Sequence, residues 1–473
     1  MRVLRELLEA VRDLERATRP VDPEVAAALA RRWDELPDHV RTPAQMVGRK
    51  LAGCEATHRV FPACNFGCRP CYHASNANRV PVDGAHTVAE VERQMAYLRA
   101  RRGPAQHAQL IGGEVSLLPA DAHAEALEVM RRYQRFPMSF THGDFDYDYL
   151  QRLALRSDGT RRFDVLSFAV HVDSTMYGRR GAVRPTSERQ LHEARHRIRA
   201  MFDRLEHAYG VRTHLAHNMT VTPANVGEIA DVVRVCRELR YRVCSFQPAA
   251  FVGNQRRWDG EYRTLADDDV WAELERGVGG RLPYRGLQVG DLRCNRVTWG
   301  LWAGDRYAPV LDDADPRDLR ARDAFLRALP GNLLFAPRTI AALRIARALL
   351  SHASEIPVAL GWALRFACRA GIRAWAGVHP TTYVMHSFMD ARDVAPAWDL
   401  LQRGVVASDP RLRATQERLR ACAYGMAHPE LDLVVPACVQ HSVLDEQEND
   451  ALAPLLRGDG TGRRTLPLLP HSG

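Results

Sequence analysis

Between residues 56 and 252, short apolar runs of strand length alternate with longer amphipathic runs of helical spacing, and this limits the fold more than anything else in the 473 residues. The strand-like runs are "ATHRVFPA" (56–63), "HAQLIGG" (107–113), "PMSFTHG" (137–143), "DVLSFAVHVD" (164–173), "RTHLAHNMTV" (212–221) and "YRVCSFQPAAFV" (241–252). Helical spacing marks "TVAEVERQMAYLRARR" (87–102), "DAHAEALEVMRRYQRF" (121–136), "SERQLHEARHRIRAMFDRLEHAYG" (187–210) and "NVGEIADVVRVCRELR" (225–240). Strands separated by single helices build βα units and a parallel sheet, an α/β fold. Six such strands make more than half of a (β/α)8 barrel, and ligands on sheets of this kind sit beyond the carboxyl ends of the strands.

Polar and cysteine-bearing segments follow the strand ends. "FPACNFGCRPCYHAS" (61–75) follows the first, "GGEVS" (112–116) the second and "THGDFD" (141–146) the third, so they converge on one face. Cys64, Cys68 and Cys71 have the spacing C-x3-C-x2-C. A structural zinc site usually takes four protein ligands from paired cysteines, and no second C-x2-C follows. A [4Fe–4S] cluster is normally held by four thiolates; three leave one iron open to another ligand. A zinc loop or three inert thiols is the competing reading of the spacing. His142 and Asp144 either line a substrate pocket or form a turn and helix cap.

With Gly112, Gly113 and Glu114 after the second strand, the cysteine loop resembles the radical S-adenosylmethionine (radical SAM) superfamily, over roughly residues 56–252. The resemblance implies a partial (β/α)6 TIM-like barrel and a [4Fe–4S] cluster on Cys64, Cys68 and Cys71. S-adenosyl-L-methionine would chelate the open iron and be cleaved reductively to a 5′-deoxyadenosyl radical. It also implies that Glu114 meets the methionyl amine, a cation favoured by a carboxylate, while Gly112 and Gly113 allow close backbone approach. Pro70 stands where the family commonly has an aromatic residue; Tyr72, one place after Cys71, is the expected adenine contact. Asp173, Ser174 and Asn218 are expected at the ribose or carboxylate, and Gln247 has the same standing.

Beyond residue 255 the alternation fades, and four regions are expected: an N-terminal helical extension (1–55), the barrel (56–255), an irregular connection (256–330) containing Cys294, and a mostly helical C-terminal region (331–473) that closes the barrel. The segment 338–376 is apolar and studded with arginine, which suits helices packed on the barrel with Arg heads outward, or peripheral membrane contact. "YVMHSFMDA" (383–391) and "ACAYGMAHPELDLVVPACVQH" (421–441) are similar to the C-terminal region of tetraether lipid synthase and its radical SAM relatives. That likeness implies one auxiliary iron–sulfur cluster on Cys294, Cys422 and Cys438, with His386, His441 or a substrate atom as fourth ligand. The alternative is three buried small hydrophobes. Cys54, Cys236, Cys244 and Cys368 read as structural.

The opening "MRVLRELLEAVRDLERATRP" has helical spacing and no apolar signal-peptide core, and no run nears the roughly 18 apolar residues that cross a bilayer. A cytoplasmic protein is expected. The net charge is +8, yet Lys50 is the sole lysine and Arg and Asp are interspersed without a basic stripe, so no nucleic-acid partner is expected. The functional expectation is a radical SAM enzyme acting on an unidentified, hydrophobic or lipid-like substrate and served by a reductant such as ferredoxin or flavodoxin. The alternatives are a radical SAM C-methyltransferase of a small molecule and a non-catalytic metal-binding protein.

Overall fold

The computed structural model describes residues 11, 12, 15, 18, 19, 22–253, 260–329, 331, 338–371 and 377–458. Most of the helix expected over 1–20, and residues 372–376 of the arginine-studded segment, lie outside these. Helix α1 spans Pro23–Asp34. Asp22 caps it by accepting hydrogen bonds from the amides of Glu24 and Val25, and Pro23 opens its first turn, where its lack of an N–H costs nothing.

Six parallel strands follow in spatial order: β1 (Cys54–Ala56), β2 (Gln106–Leu110), β3 (Arg135–Thr141), β4 (Val165–His171), β5 (Arg212–Val221) and β6 (Val243–Pro248). The connecting helices are α2 (Gly84–Arg102), α3 (Ala120–Arg132), α4 (Tyr147–Ala154), α5 (His192–Tyr209) and α6 (Ile229–Glu238). Buried Ile229, Val232, Val233 and Cys236 show why these helices pack as they do: spacings of three and four residues put one apolar stripe against the sheet. The main core gathers those side chains with Val91, Leu98, Leu127, Phe168, Phe202 and Phe246. Each such residue contributes about 1.5–3 kcal/mol on burial.

The sheet does not stop at six strands. After α7 (Asp267–Val278) come the hairpin β7 (Asn295–Ala303) and β8 (Arg306–Pro309), helices α8 (Pro316–Ala328), α9 (Arg338–Ser351) and α10 (Ile356–Ala370), and β9 (Val378–His386). Helices α11 (Ala391–Gln402) and α12 (Pro410–Arg420), strands β10 (Tyr424–His428) and β11 (Leu433–Pro436), and helix α13 (Asp445–Arg457) complete the described chain. The eleven-stranded order is β11-β10-β1-β2-β3-β4-β5-β6-β9-β7-β8. Strand β9 joins β6 in parallel and β10 joins β1 in parallel; β7 and β11 run antiparallel to their neighbours. The fold is an α/β partial barrel of the expected kind, with eleven strands in the curled sheet instead of six.

Several expectations are corrected. Residues 256–330 hold helices α7 and α8 and the hairpin β7–β8, and Cys294 lies directly before β7. The region from 331 supplies three strands as well as helices. The first strand ends at Ala56, where the predicted one begins; beyond it the chain runs on beside the end of β2, with the Thr57 amide donating to the Gln109 carbonyl at 3.0 Å.

Candidate functional site

The loop leaving β1 carries Cys64, Cys68 and Cys71, all partly exposed, and the ends of three other strands hold it in place. After β2, the Gly113 amide donates to the Phe61 carbonyl at 2.6 Å and the Glu114 amide to that of Ala63 at 2.9 Å. After β3, His142 donates through Nε2 to Asn65 Oδ1 at 2.9 Å, and its ring stacks on Phe66 at 3.9 Å. After β4, the carbonyls of Thr175 and Tyr177 accept from the amides of Arg69 and Gly67 at 2.8 and 2.9 Å. Asn78 Oδ1 accepts from the Cys64 amide at 2.8 Å.

The glycines are required by contact. A Cβ on Gly112 would lie 2.7 Å from the Phe61 carbonyl oxygen, and one on Gly113 would lie 2.0 Å from that of Ala63. Past β6, Gly253 has φ +66°, and its Cβ would lie 2.0 Å from the Tyr72 carbonyl oxygen. So the segments after β2, β3, β4 and β6 all meet the cysteine loop.

Glu114 is buried, and its carboxylate is engaged within the protein. It accepts from the Ser116 amide (2.9 Å), Thr141 Oγ1 (2.6 Å) and the His142 amide (2.8 Å). Asp173 is fully buried; it accepts from the Thr220 amide at 2.7 Å and the Thr175 hydroxyl at 2.6 Å, and pairs with His171 at 2.7 Å. Burial alone would raise its carboxyl, but the His171 ring and these donors hold it below the usual carboxylate range. The Ser174 amide donates to Glu188, and its hydroxyl oxygen accepts from Asn225. Asn218 is buried on β5 and accepts from the Val172 amide at 3.1 Å. Gln247 donates to Ser245 Oγ at 3.4 Å. Tyr72 packs on Phe388 at 4.7 Å, and burial pushes its phenol up. Asp144 pairs with Arg180 and Arg197, each at 3.3 Å, the bonding of a loop brace.

Sequence reasoning missed Arg179, in the loop after β4. The residue is fully buried beside the Phe66 ring; Nη2 donates to the His171 carbonyl at 3.0 Å, while Nε and Nη1 have no hydrogen-bond partner. The signal was present, since "YGRRG" (177–181) follows a strand end, the position that marked the other segments. A buried guanidinium with two idle donors fits a carboxylate. With three soft sulfur donors on one loop and two glycines clearing the way beside it, the residues present fit a thiolate-bound cluster and an amino-acid-bearing cofactor.

Cys294, Cys422 and Cys438 come from distant parts of the chain and lie within electrostatic reach of one another. Arg418 Nε donates to Cys294 Sγ at 3.2 Å, the Met389 amide to Cys438 Sγ at 3.4 Å, and Cys422 donates to the Tyr424 carbonyl at 3.0 Å. Burial pushes the Cys294 thiol up to about 11 and that of Cys438 up to about 12. His386 bonds through Nδ1 to Asn295 Oδ1 at 2.6 Å, the side chain next in sequence to Cys294. His441 belongs to a different group: with His73 and Asp445 it brings three ligand-type atoms within 4.8 Å of one another, and His58, His428 and Glu448 form a second such group. The first group, with His58 and Glu448 of the second, lines a cavity that reaches Gly112.

No protein-family model matches the chain, and no curated protein matches it. Part of it is similar to solved structures. Streptococcus suis SuiB bound to S-adenosylmethionine gives a TM-score of 0.29 at 13% identity, covering 44% of this chain and 42% of that one. Native anSMEcpe with bound AdoMet gives 0.29 at 13%, covering 42% and 51%. Archaeal TYW1 gives 0.25 at 13%, covering 41% and 62%. The chain thus spans about two fifths of SuiB and half of anSMEcpe.

Proposed function

We propose that this protein is a radical SAM enzyme. The observation that carries the reading is the hydrogen-bond web joining the three-cysteine loop to the segments after β2, β3 and β4. Cys64, Cys68 and Cys71 would hold a [4Fe–4S] cluster, and Arg179 would receive the methionyl carboxylate of S-adenosylmethionine. Gly112, Gly113 and the backbone beside Glu114 would admit the methionyl amine, and Tyr72, Asp173, Ser174 and Asn218 would shape the nucleoside side. Glu114 acts mainly as a strut, because its oxygens already tie the second segment to the third. When bound, the cluster supplies one electron to S-adenosylmethionine, releasing methionine and a 5′-deoxyadenosyl radical that abstracts hydrogen from substrate. The protein's part is to position and to exclude water.

A hydrophobic substrate is supported by Ile111 and Met426, which line the cavity that reaches Gly112, and by Phe388 packed on Tyr72. An auxiliary cluster on Cys294, Cys422 and Cys438, with His386 as the neighbouring nitrogen donor, is the companion proposal. A ferredoxin or flavodoxin is the proposed reductant.

The test is anaerobic reconstitution followed by iron and sulfide analysis, then incubation with reductant and S-adenosylmethionine. Brown protein and 5′-deoxyadenosine are expected, both lost in Cys64→Ala. Colourless protein that binds zinc through the same cysteines overturns the reading, and a cluster without cofactor cleavage reduces it to a scaffold.

A further inference from the structure

A second buried guanidinium without a counter-ion lies away from the cysteine loop. Arg102 ends α2 and is 8% exposed; its Nη1 has no hydrogen-bond partner, and no carboxylate among the described residues pairs with it. Glu55, a carboxylate close enough to feel its charge, is held by Arg135 at 3.0 and 3.1 Å. Arg102 lines a cavity between α1, α11, α12 and the β10–β11 hairpin, beside the amino end of β10. Arg31, Arg32, Arg101 and Arg420 share its wall with a single carboxylate, Glu35, which pairs with Arg32 at 3.2 Å. A second idle donor stands there: Trp398 Nε1 is buried without a partner. Leu401, Leu419 and Val434 give the rest of the wall an apolar face, which Cys422 and Tyr424 adjoin.

An unpaired charge held out of water is costly to keep, and a chain that concentrates cations around such a charge has a use for an anion. We propose that this cavity binds a small amphiphile whose oxyanion head, phosphate or carboxylate, meets Arg102 and Trp398 Nε1 while its apolar body lies against Leu401 and Val434. Arginine suits the head because its planar donors match an oxyanion. The site is separate from the loop of Cys64, Cys68 and Cys71, so its occupancy does not depend on a cluster there; Cys422 lines it too, so the proposed auxiliary cluster would border it.

The experiment is calorimetric titration of the full chain with octyl phosphate, octanoate and inorganic phosphate, with and without S-adenosylmethionine. Octyl phosphate or octanoate is expected to bind at one site more tightly than inorganic phosphate, and the tighter of the two identifies the head group. Arg102→Met should weaken that binding about tenfold or more, as loss of a charge-assisted bond does. Arg420→Ala, at the exposed rim, should weaken it several-fold, and Trp398→Phe should remove the N–H contribution. If Arg102→Met fails to fold, the other two variants decide. Wild-type protein that binds none of the probes, or folded variants that all bind like wild type, overturns the proposal. Equal binding of inorganic phosphate removes the apolar body from it.

Discussion

A methyl group at residue 113 would intrude on the Ala63 carbonyl from 2.0 Å. Either the glycine segment or the cysteine loop must then shift. Gly113→Ala is expected to lower stability by about 1–3 kcal/mol, the range for forced overpacking, and to lower iron content. Gly227→Ala, where a Cβ meets nothing within 4 Å, serves as the control, and equal melting of the two variants contradicts the argument. Arg179→Met should leave iron content intact while weakening S-adenosylmethionine about tenfold in equilibrium dialysis; unchanged affinity removes Arg179 from the site. Lys50 offers a pH test. Its ammonium donates to the Phe325 carbonyl at 3.0 Å, yet burial, helped by Arg49, pushes its pKa down to about 7 from 10.5. Between those values the unfolded chain binds the extra proton, so this component of stability rises with pH by up to about 1.4 kcal/mol per unit and is least favourable below about 7. The melting advantage of Lys50→Met over wild type should therefore shrink from pH 7 to pH 9; a constant gap refutes it.

Five of the six central strands and most of their helices were legible because each strand is a short run and each helix has a clear stripe, whereas β1 ends where its expected span begins. Strand β5 coincides with its expected span. Helix α4 was hidden because "DYDYLQRLA" (146–154) is short and begins amid turn-forming residues, although Tyr149, Leu150 and Leu153 bury its inner face. Strands β9 and β10 were hidden for another reason: each is completed by a partner far away in sequence, and local pattern carries no record of that partner; β11 is a four-residue edge strand that only pairs back on β10. The same holds for the site. The cysteines and glycines were readable as spacing, whereas Arg179 and the meeting of Cys294, Cys422 and Cys438 depend on tertiary approach. Strands β9 and β10 cover the outer edges of β6 and β1. A chain ending at residue 376 is expected to aggregate on size-exclusion chromatography through those bare edges; a soluble monomer contradicts this.

At the scale of the molecule, no helix among the described residues is long and apolar enough to cross a membrane. Helices α9 and α10 nonetheless expose large apolar side chains, Leu350 at 77%, Leu360 at 61% and Leu364 at 69%. If this surface makes the proposed peripheral contact, the protein should cosediment with anionic vesicles, and Leu360→Asp with Leu364→Asp should abolish it; an undiminished pellet assigns binding elsewhere.

The placement of β9 and β10 also bears on birth order. Translation delivers β1 first among the strands, but its outer neighbour begins at Tyr424, near the end of synthesis, and the outer neighbour of β6 begins at Val378. A nascent chain carrying only the central six strands therefore emerges with both flanks raw, and contacts so distant in sequence close slowly. If Cys64, Cys68 and Cys71 hold the proposed cluster, its iron would be delivered after release from the ribosome, when the last strands have docked.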